Sequence, residues 1–396
     1  MSHTHWKGAI SALLLGVMAA IFIGKLPPAI PALRTEFGLT LAQSGWMVSM
    51  FNTLGVVASI FMGLIIARAG AWRLCLLGAC AMLLGAVLGA AATQAPWLLA
   101  SRFLEGVGFL CIVVSAPALL MIATADQDRK RVFSFWGAYM PTGTTLGMLL
   151  APLLIAAYGW RSLWIATAAC ALAAIVLLLA RRADYAVTGA TTRPTWRQGA
   201  GPLKRPGPWW IALAFGCYAF NYYAIMVWLP TFMVGERQTP LLTASLLTAL
   251  VVAVNIPGNL LGGMLMQRGV ARGTNVCIAG IATALTALMI FSPALPDSLR
   301  FFGCVLFSFA VGVLPGSVMS AAQTHAANPA QVGTVQGMIN QGSNMGQFVS
   351  PILVTAVVGT ALAWNNMLLL LLVTSAIIIA SGLMIRRIEA RLSGTA

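Results

Sequence analysis

Residues 161–182 have the sequence RSLWIATAACALAAIVLLLARR, in which no charged side chain interrupts the run from Ser162 to Ala180. A helix rises about 1.5 Å per residue, so a run of about 20 residues matches the ~30 Å hydrocarbon core of a bilayer. Apolar and polar residues do not alternate along the run, as they would in a strand of a membrane barrel. The stretch therefore predicts a transmembrane helix.

The rest of the chain repeats this pattern. Of its 396 residues, 60% are hydrophobic and 8% are charged, whereas soluble domains carry about 25% charged residues. Lipid leaves backbone polar groups no partner outside the chain, which favours helices. We predict an all-α membrane protein with twelve transmembrane helices, from apolar runs at residues 8–33, 43–66, 74–94, 97–122, 132–157, 162–180, 208–233, 241–266, 274–292, 299–321, 334–358 and 364–385.

The basic residues of the loops predict the orientation. With both termini on the cytoplasmic side of a bacterial-type inner membrane, seventeen Lys and Arg residues fall in cytoplasmic segments. Four arginines fall outside, namely Arg34, Arg161, Arg237 and Arg300. Such a bias follows the positive-inside rule. We therefore attribute the net charge of +15 to basic residues in the cytoplasmic loops of a membrane protein, and no nucleic-acid partner is expected.

The chain divides into two similar halves. A polar stretch rich in Arg, Pro and Gly predicts a cytoplasmic linker at residues 181–207, between six-helix bundles at 1–180 and 208–396. Several residues of the first half recur 199 positions later: Pro31 with Pro230, Gly70 with Gly269, Gly143 with Gly342, Gly147 with Gly346 and Pro152 with Pro351. A duplication of this kind predicts two pseudo-symmetric bundles around a central site, as in many transporters.

Two motifs carry a family resemblance. Residues 63–73, GLIIARAGAWR, resemble the G-x-x-x-D-R-x-G-R-R signature of the major facilitator superfamily, and Arg102-Phe-Leu-Glu-Gly106 resembles its R-x-x-Q-G signature. Ala67 stands where the signature has aspartate, and Glu105 where it has glutamine. The G-P-x-x-G-G pattern of drug/proton antiporters is absent from the fifth span. The resemblance implies a twelve-helix transporter with a central cavity lined by spans 1, 2, 4, 5, 7, 8 and 11.

Three charged side chains lie within the predicted spans: Lys25, Arg102 and Glu105. A charge at the centre of a span costs about 2.5–3.5 kcal/mol, so it normally faces a cavity or a partner. Lys25 and Glu105 lie at similar depths, and Arg102 is one helical turn from Glu105. One hypothesis is a cluster of net charge +1 that attracts an anion, with Glu105 exchanging a proton. The alternative is a permanent salt bridge between spans 1 and 4, or snorkelling in the case of Arg102.

Neutral polar side chains extend the predicted substrate site. The candidates are aromatic and amide groups in spans 5, 7, 8 and 11, namely Tyr139, Asn221, Tyr222, Asn255, Gln341 and Asn344. The competing interpretation of each is a hydrogen bond that holds two helices together. Neither a phosphate loop, a metal-ligand spacing nor a nucleophile motif occurs, so no cofactor is expected.

These observations predict a monomeric secondary transporter that moves a small organic anion, in particular a carboxylate, together with protons. Lys25 and Arg102 would bind the anion, and Glu105 would carry the proton. The alternative within transport is proton-coupled efflux of drug-like or cationic compounds. Two further alternatives are an intramembrane enzyme, for which no nucleophile and base lie at matching depth, and a passive channel, which the Gly- and Pro-punctuated halves disfavour.

Overall fold

The structure, a computed structural model, describes residues 3–185, 200–318, 320–327 and 329–392, so most of the predicted linker (186–199) lies outside the described residues. The described chain is helical. Its α-helices are α1 (Trp6–Gly24), α2 (Leu26–Phe37), α3 (Leu41–Met50), α4 (Thr53–Ala58), α5 (Met62–Ala69), α6 (Ala71–Ala90), α7 (Ala95–Ala123), α8 (Arg129–Gly137), α9 (Tyr139–Tyr158), α10 (Arg161–Ala180), α11 (Pro206–Arg237), α12 (Leu241–Gln267), α13 (Arg272–Phe291), α14 (Asp297–Val318), α15 (Ala321–His325), α16 (Pro329–Val358) and α17 (Met367–Leu392). Short 3-10 helices lie at Ser59–Phe61, Arg182–Tyr185, Gly201–Lys204 and Trp364–Asn366.

The prediction of an all-helical membrane protein is confirmed. Among the described residues, ten spans are long and apolar enough to cross a membrane, and α3 with α4 forms an eleventh if this pair, bent by 49°, is counted. The remaining predicted span is α16, whose 30 residues reach about 45 Å. Its Asn and Gln side chains make it less apolar than the other spans. The division at residues 181–207 stays a prediction.

The first span is interrupted at Lys25, between α1 and α2. Pro27 and Pro28 follow at once, and because proline has no N–H, the carbonyls one turn earlier lose their helical donors. The span continues past the break, and the side chain of Lys25 is buried there.

The second span breaks at Phe51 and Asn52, where α3 gives way to α4. Helix α7 packs closely against this break, since a Cβ added at Gly106 would lie 1.9 Å from the carbonyl oxygen of Phe51. Glycine at this signature position therefore lets span 4 approach the broken backbone of span 2. The contact brings Asn52 and Arg102 to one level of the bundle.

Glycines repeated at the 199-residue offset make equivalent contacts in the two halves. A Cβ at Gly143 in α9 would lie 2.2 Å from the carbonyl oxygen of Val17 in α1, and a Cβ at Gly342 in α16 would lie 2.1 Å from that of Ala212 in α11. In both pairs the backbones touch, so no larger residue fits. This shared packing is a physical reason for the repeat.

Contacts between the first and last parts of the chain surround the centre of the bundle. The hydroxyl of Ser49 in α3 donates to the carbonyl oxygen of Phe348 in α16 at 2.7 Å. Nearby, the amide of Asn344 donates to the hydroxyl of Ser59 at 3.3 Å. Helix α12 likewise packs against α9, and α11 against α2. These contacts set the walls of the central cavity.

Candidate functional site

The three charged residues of the spans form one buried cluster. Lys25 Nζ lies 2.8 Å from Glu105 Oε1 and donates to Thr167 Oγ1 at 2.9 Å. Arg102 Nη1 bonds the other carboxylate oxygen, Glu105 Oε2, and donates to the carbonyl oxygen of Phe22 at 3.1 Å. The proximity expected from their depths is therefore observed. Span 1 contributes Lys25, span 4 contributes Arg102 and Glu105, and span 6 contributes Thr167.

Aromatic rings close the cluster off from water. Lys25 Nζ lies 4.5 Å from the ring centroid of Phe22 and 4.4 Å from that of Trp164, and the guanidinium of Arg102 lies 4.4 Å from the ring of Phe51. The side chains of Lys25, Arg102 and Glu105 are 1%, 2% and 0% exposed. Two cations share one carboxylate, so this dry site carries a formal charge of +1.

A small polar niche lies beside Arg102. Its volume is about 10 Å³, and Asn52, Arg102 and Tyr223 supply its polar lining. Among the described residues, no hydrogen bond of normal geometry reaches Arg102 Nε, the hydroxyl of Tyr223 or the amide atoms of Asn52, all of which are buried, although the Asn52 amide lies close enough to Tyr223 to interact with it. Buried polar atoms are rarely left unpaired. The niche has about the volume that one water molecule needs.

A larger cavity occupies the centre of the bundle. Its volume is about 160 Å³, and seven helices contribute to its wall: α7, α8, α9, α11, α12, α14 and α16. The polar and aromatic part of the wall consists of Phe109, Trp136, Tyr139, Phe215, Tyr218, Tyr222, Tyr223, Asn255, Asn259, Asn340, Ser343, Asn344 and Gln347. Within the described part of the chain, no charged side chain lines this wall. Tyr223 lines both the cavity and the niche, so it separates the cavity from Arg102.

The predicted substrate residues, taken together with the predicted proton carrier Glu105, divide into two groups. Tyr139, Tyr222, Asn255 and Asn344 line the central cavity. The others lie elsewhere: Lys25 and Glu105 in the buried cluster, Arg102 in the cluster and the niche, and Asn221 and Gln341 away from the cavity wall. Asn221 Oδ1 accepts from the hydroxyl of Thr374 in α17 at 2.5 Å, as a helix-to-helix hydrogen bond would. Asn255 combines both roles, because its amide also donates to the carbonyl oxygen of Ser308 at 3.0 Å.

Tyr223 and Asn52 were not among the predicted site residues. Helix α11 lines the cavity with Phe215, Tyr218, Ala219, Tyr222 and Tyr223. These positions are spaced i, i+3, i+4, i+7 and i+8, which is one face of a helix. That spacing includes Tyr223 and excludes Asn221, so the helical period of the sequence predicts that Tyr223, and not Asn221, lines the cavity. No sequence pattern marks the break that positions Asn52.

No metal centre is found in the part of the chain that the structure describes. No group of three or more His, Cys, Asp or Glu side chains comes close enough together to hold an ion there. All seven cysteines are free thiols. The site is thus built from a buried charge cluster, a polar niche and a neutral aromatic and amide cavity.

Comparison with known proteins gives relatives over most of the chain. A Bacillus subtilis (strain 168) protein named "Putative niacin/nicotinamide transporter NiaP" is 26% identical over 221 residues, covering 54% of this chain and about half (55%) of that relative. A Cupriavidus necator protein named "Probable sulfoacetate transporter SauU" is 24% identical over 381 residues, 86% of this chain and 85% of that protein. Further relatives are named for arabinose-proton symport and methylenomycin A resistance, and are matched over 36% and 33% of their lengths.

Fold and sequence family agree. A bacterial homologue of the human lysosomal transporter Spinster, solved in an inward-facing and unoccupied conformation, matches with a TM-score of 0.78 over 99% of this chain and 98% of that chain. Its identity is 15%, so the likeness shows the fold alone. Residues 12–351 match the profile of the Major Facilitator Superfamily, whose members are transporters and not enzymes. The chain belongs to the Major Facilitator Superfamily and is a multi-pass membrane transporter.

Proposed function

We propose that this transporter carries a small organic anion, in particular a carboxylate, by alternating access with proton symport across a bacterial-type inner membrane. The observation that carries the proposal is the charge around the cavity. The wall is neutral, and the charged cluster behind it has a formal charge of +1. An anion in the cavity lowers the cost of burying that charge, whereas a cation raises it.

The niche offers the anion a contact point. Arg102 Nε and the hydroxyl of Tyr223 are donors without acceptors, and a carboxylate oxygen is an acceptor of about the size of one water molecule, for which the niche has room. Movement of the Tyr223 side chain would connect the niche with the cavity. In this proposal Arg102 contacts the anion. Lys25 acts through Glu105 and adds to the positive field.

Glu105 is suited to couple a proton to the anion. Among the described residues, Glu105 is the only acidic side chain in the interior of a span, and it contacts both Lys25 and Arg102. Its protonation changes the charge of the cluster from +1 to +2, which strengthens anion binding. By linkage, a bound anion favours the proton to the same extent. Loading of both ligands on one side and release on the other gives symport.

The other groups of the cavity would recognise the uncharged part of the substrate. Tyr218 and Tyr222 present nearly parallel rings 6.1 Å apart, and Trp136 stacks on Tyr139 at 4.3 Å. Sulfoacetate, for which the Cupriavidus relative is named, is itself a small organic anion. The aromatic wall is also what efflux of drug-like compounds would use, and methylenomycin A resistance of a relative keeps efflux as the second candidate.

Removal of one hydroxyl tests the proposal. Tyr223→Phe retains the ring and deletes one of the donors of the niche. Hydrogen bonds to charged groups contribute about 1.5–3 kcal/mol, so we expect binding of the carboxylates that stabilise the parent protein to weaken by about tenfold or more. The measurement is a thermal-shift screen of carboxylates and cationic compounds, followed by calorimetric titration of the hits.

The matched control is Tyr158→Phe, because Tyr158 is 78% exposed and lies far from the cavity wall. It should leave binding unchanged. Stabilisation by cationic compounds and none by carboxylates would contradict the proposal and favour the efflux alternative.

A further inference from the structure

A second cavity lies at the predicted outer end of the last helices. Its volume is about 130 Å³, and it is enclosed by α11, α13, α14 and the start of α17. It shares no lining residue with the central cavity. Its interior is apolar, with side chains such as Trp228, Phe232, Phe301 and Trp364. It is therefore a separate site from the one described above.

The repeat explains why this space is empty. At the 199-residue offset, Lys25 corresponds to Ala224, Arg102 to Phe301 and Glu105 to Cys304. All three counterparts line the second cavity. In the first half of the chain the long charged side chains fill the equivalent space and pair with one another. Alanine and cysteine are too short to do so, and a void remains in the second half.

The rim of the second cavity is positively charged. Arg237 Nη2 lies 2.9 Å from Asp297 Oδ1, and Arg300 Nη1 lies 3.4 Å from the same oxygen. Arg300 Nε also donates to the carbonyl oxygen of Ile290 at 2.7 Å. All three charged side chains line the cavity. Two arginines thus share one carboxylate, which leaves one positive charge at the mouth.

Two unused donors lie among the apolar lining. The indole N–H groups of Trp228 and Trp364 have no acceptor among the described residues. Trp228 is 1% exposed and Trp364 is 8% exposed, so water does not reach either ring freely. A buried donor without an acceptor is rare in proteins. Both rings line the cavity, where the face of an aromatic ligand would be a weak acceptor for an indole N–H group.

We propose that the second cavity binds a monocarboxylate with an apolar body of about the size of one aromatic ring, taken from the water on the outer side. An apolar cavity of about 150 Å³ is known to hold benzene, so 130 Å³ accommodates one ring. The carboxylate then lies at the rim, against Arg237 and Arg300. A phospholipid acyl chain is much longer than this cavity. The proposal is independent of the transported substrate.

Calorimetric titration of benzoate into the purified protein in detergent tests the proposal. Arg237→Gln removes a rim cation and should weaken benzoate binding about tenfold, since it removes a hydrogen bond to a charged group. Asp297→Asn frees both arginines and should tighten binding severalfold, a gain that a purely structural role does not produce. Ala224→Leu fills the cavity and should abolish this binding event.

Three controls separate this site from others. Arg34→Gln, at another outer-side arginine that does not line the cavity, should leave binding unchanged. Tyr223→Phe alters the central site alone. Benzoate binding at the second cavity should therefore persist in this variant, whether or not the transport proposal holds. Benzyl alcohol, of equal size and no charge, should bind at least tenfold more weakly.

Two outcomes would overturn the proposal. One is a benzoate affinity that is the same in Ala224→Leu, in Arg237→Gln and in the parent protein, provided that both variants elute and melt as folded protein. The other is equal binding of benzyl alcohol and benzoate, because the rim would then contribute nothing. Should Ala224→Leu fail to fold, the opposite shifts expected of Arg237→Gln and Asp297→Asn still decide the matter.

Discussion

The buried cluster of Lys25, Arg102 and Glu105 predicts an unequal response to loss of its members. Glu105 accepts from both cations, and the three side chains are at most 2% exposed. Glu105→Gln keeps the shape of the side chain but leaves two cations facing each other in a dry site. Lys25→Met removes one cation and leaves a neutral pair of Arg102 and Glu105. We therefore expect Glu105→Gln to cost more stability than Lys25→Met.

The magnitudes follow from burial. Loss of one partner of a buried ion pair costs about 3–5 kcal/mol, which we expect for Glu105→Gln. Lys25→Met loses a hydrogen bond to a charged group, worth about 1.5–3 kcal/mol, but it also removes the uncompensated charge, so the net cost should be smaller. In the double variant only Arg102 remains charged. The double variant should be more stable than Glu105→Gln alone, with a coupling free energy of about 2–3 kcal/mol.

The assay is reversible unfolding of the purified protein in mixed detergent micelles, with the free energy of unfolding measured for each single variant and the double variant. Glu36→Gln is the matched control. Glu36 pairs with Arg161 at 2.7 Å, but these side chains are 40% and 42% exposed, and the amide oxygen of the variant can still accept the hydrogen bond that Trp160 Nε1 donates to Glu36 at 2.5 Å. Exposed pairs contribute about 0–1 kcal/mol, so this variant should lose no more than that. A cost of Glu105→Gln as small as that of Glu36→Gln would show that Glu105 does not compensate the two cations, and so would a double variant less stable than Glu105→Gln.

Further predictions concern topology, packing and coupling. Reporter fusions after Leu203 and at the C-terminus should report cytoplasm and a fusion near Glu236 the opposite side; a periplasmic signal at the linker would contradict the orientation. Gly143→Leu and Gly342→Leu should both lower the melting temperature strongly, because a Cβ at either position would lie about 2 Å from a carbonyl oxygen, whereas Gly235→Leu, with nothing within 4 Å, should not. Glu105→Gln protein that remains folded should exchange substrate across the membrane but not accumulate it against a gradient. If Glu105→Gln accumulates substrate as well as the parent protein does, another group or another ion couples transport.

The helices could be predicted from the sequence because each long apolar run has one structure available in lipid. Residues 162–180, for example, became α10 (Arg161–Ala180). The polarity of α16 was also visible in its amide stripe. Local breaks were harder to predict. Pro27 and Pro28 explain the interruption at Lys25, but the break at Asn52 depends on how closely α7 packs through Gly106.

For the candidate site, the sequence predicts how deep in the membrane each side chain lies but not which neighbouring helix or cavity it faces. Positions along spans 1 and 4 placed Lys25 and Glu105 at one level, and they form a contact of 2.8 Å. Whether Lys25 faces the cavity or another helix depends on the rotation of α1, which its nearly uniform apolar sequence does not specify. For Asn221 and Tyr223, the helical spacing does predict which side of α11 each side chain faces. Asn221 faces α17, and Tyr223 lines the cavity.

Uptake into proteoliposomes shows whether this transporter moves a carboxylate together with protons, as we propose. Radiolabelled carboxylates selected by thermal shift are added outside vesicles whose exterior is more acidic than the interior. We expect accumulation above the external concentration, loss of accumulation when a protonophore collapses the gradient, and no accumulation with Glu105→Gln. Accumulation that is indifferent to the proton gradient, or transport of cationic compounds in place of carboxylates, would contradict the proposal.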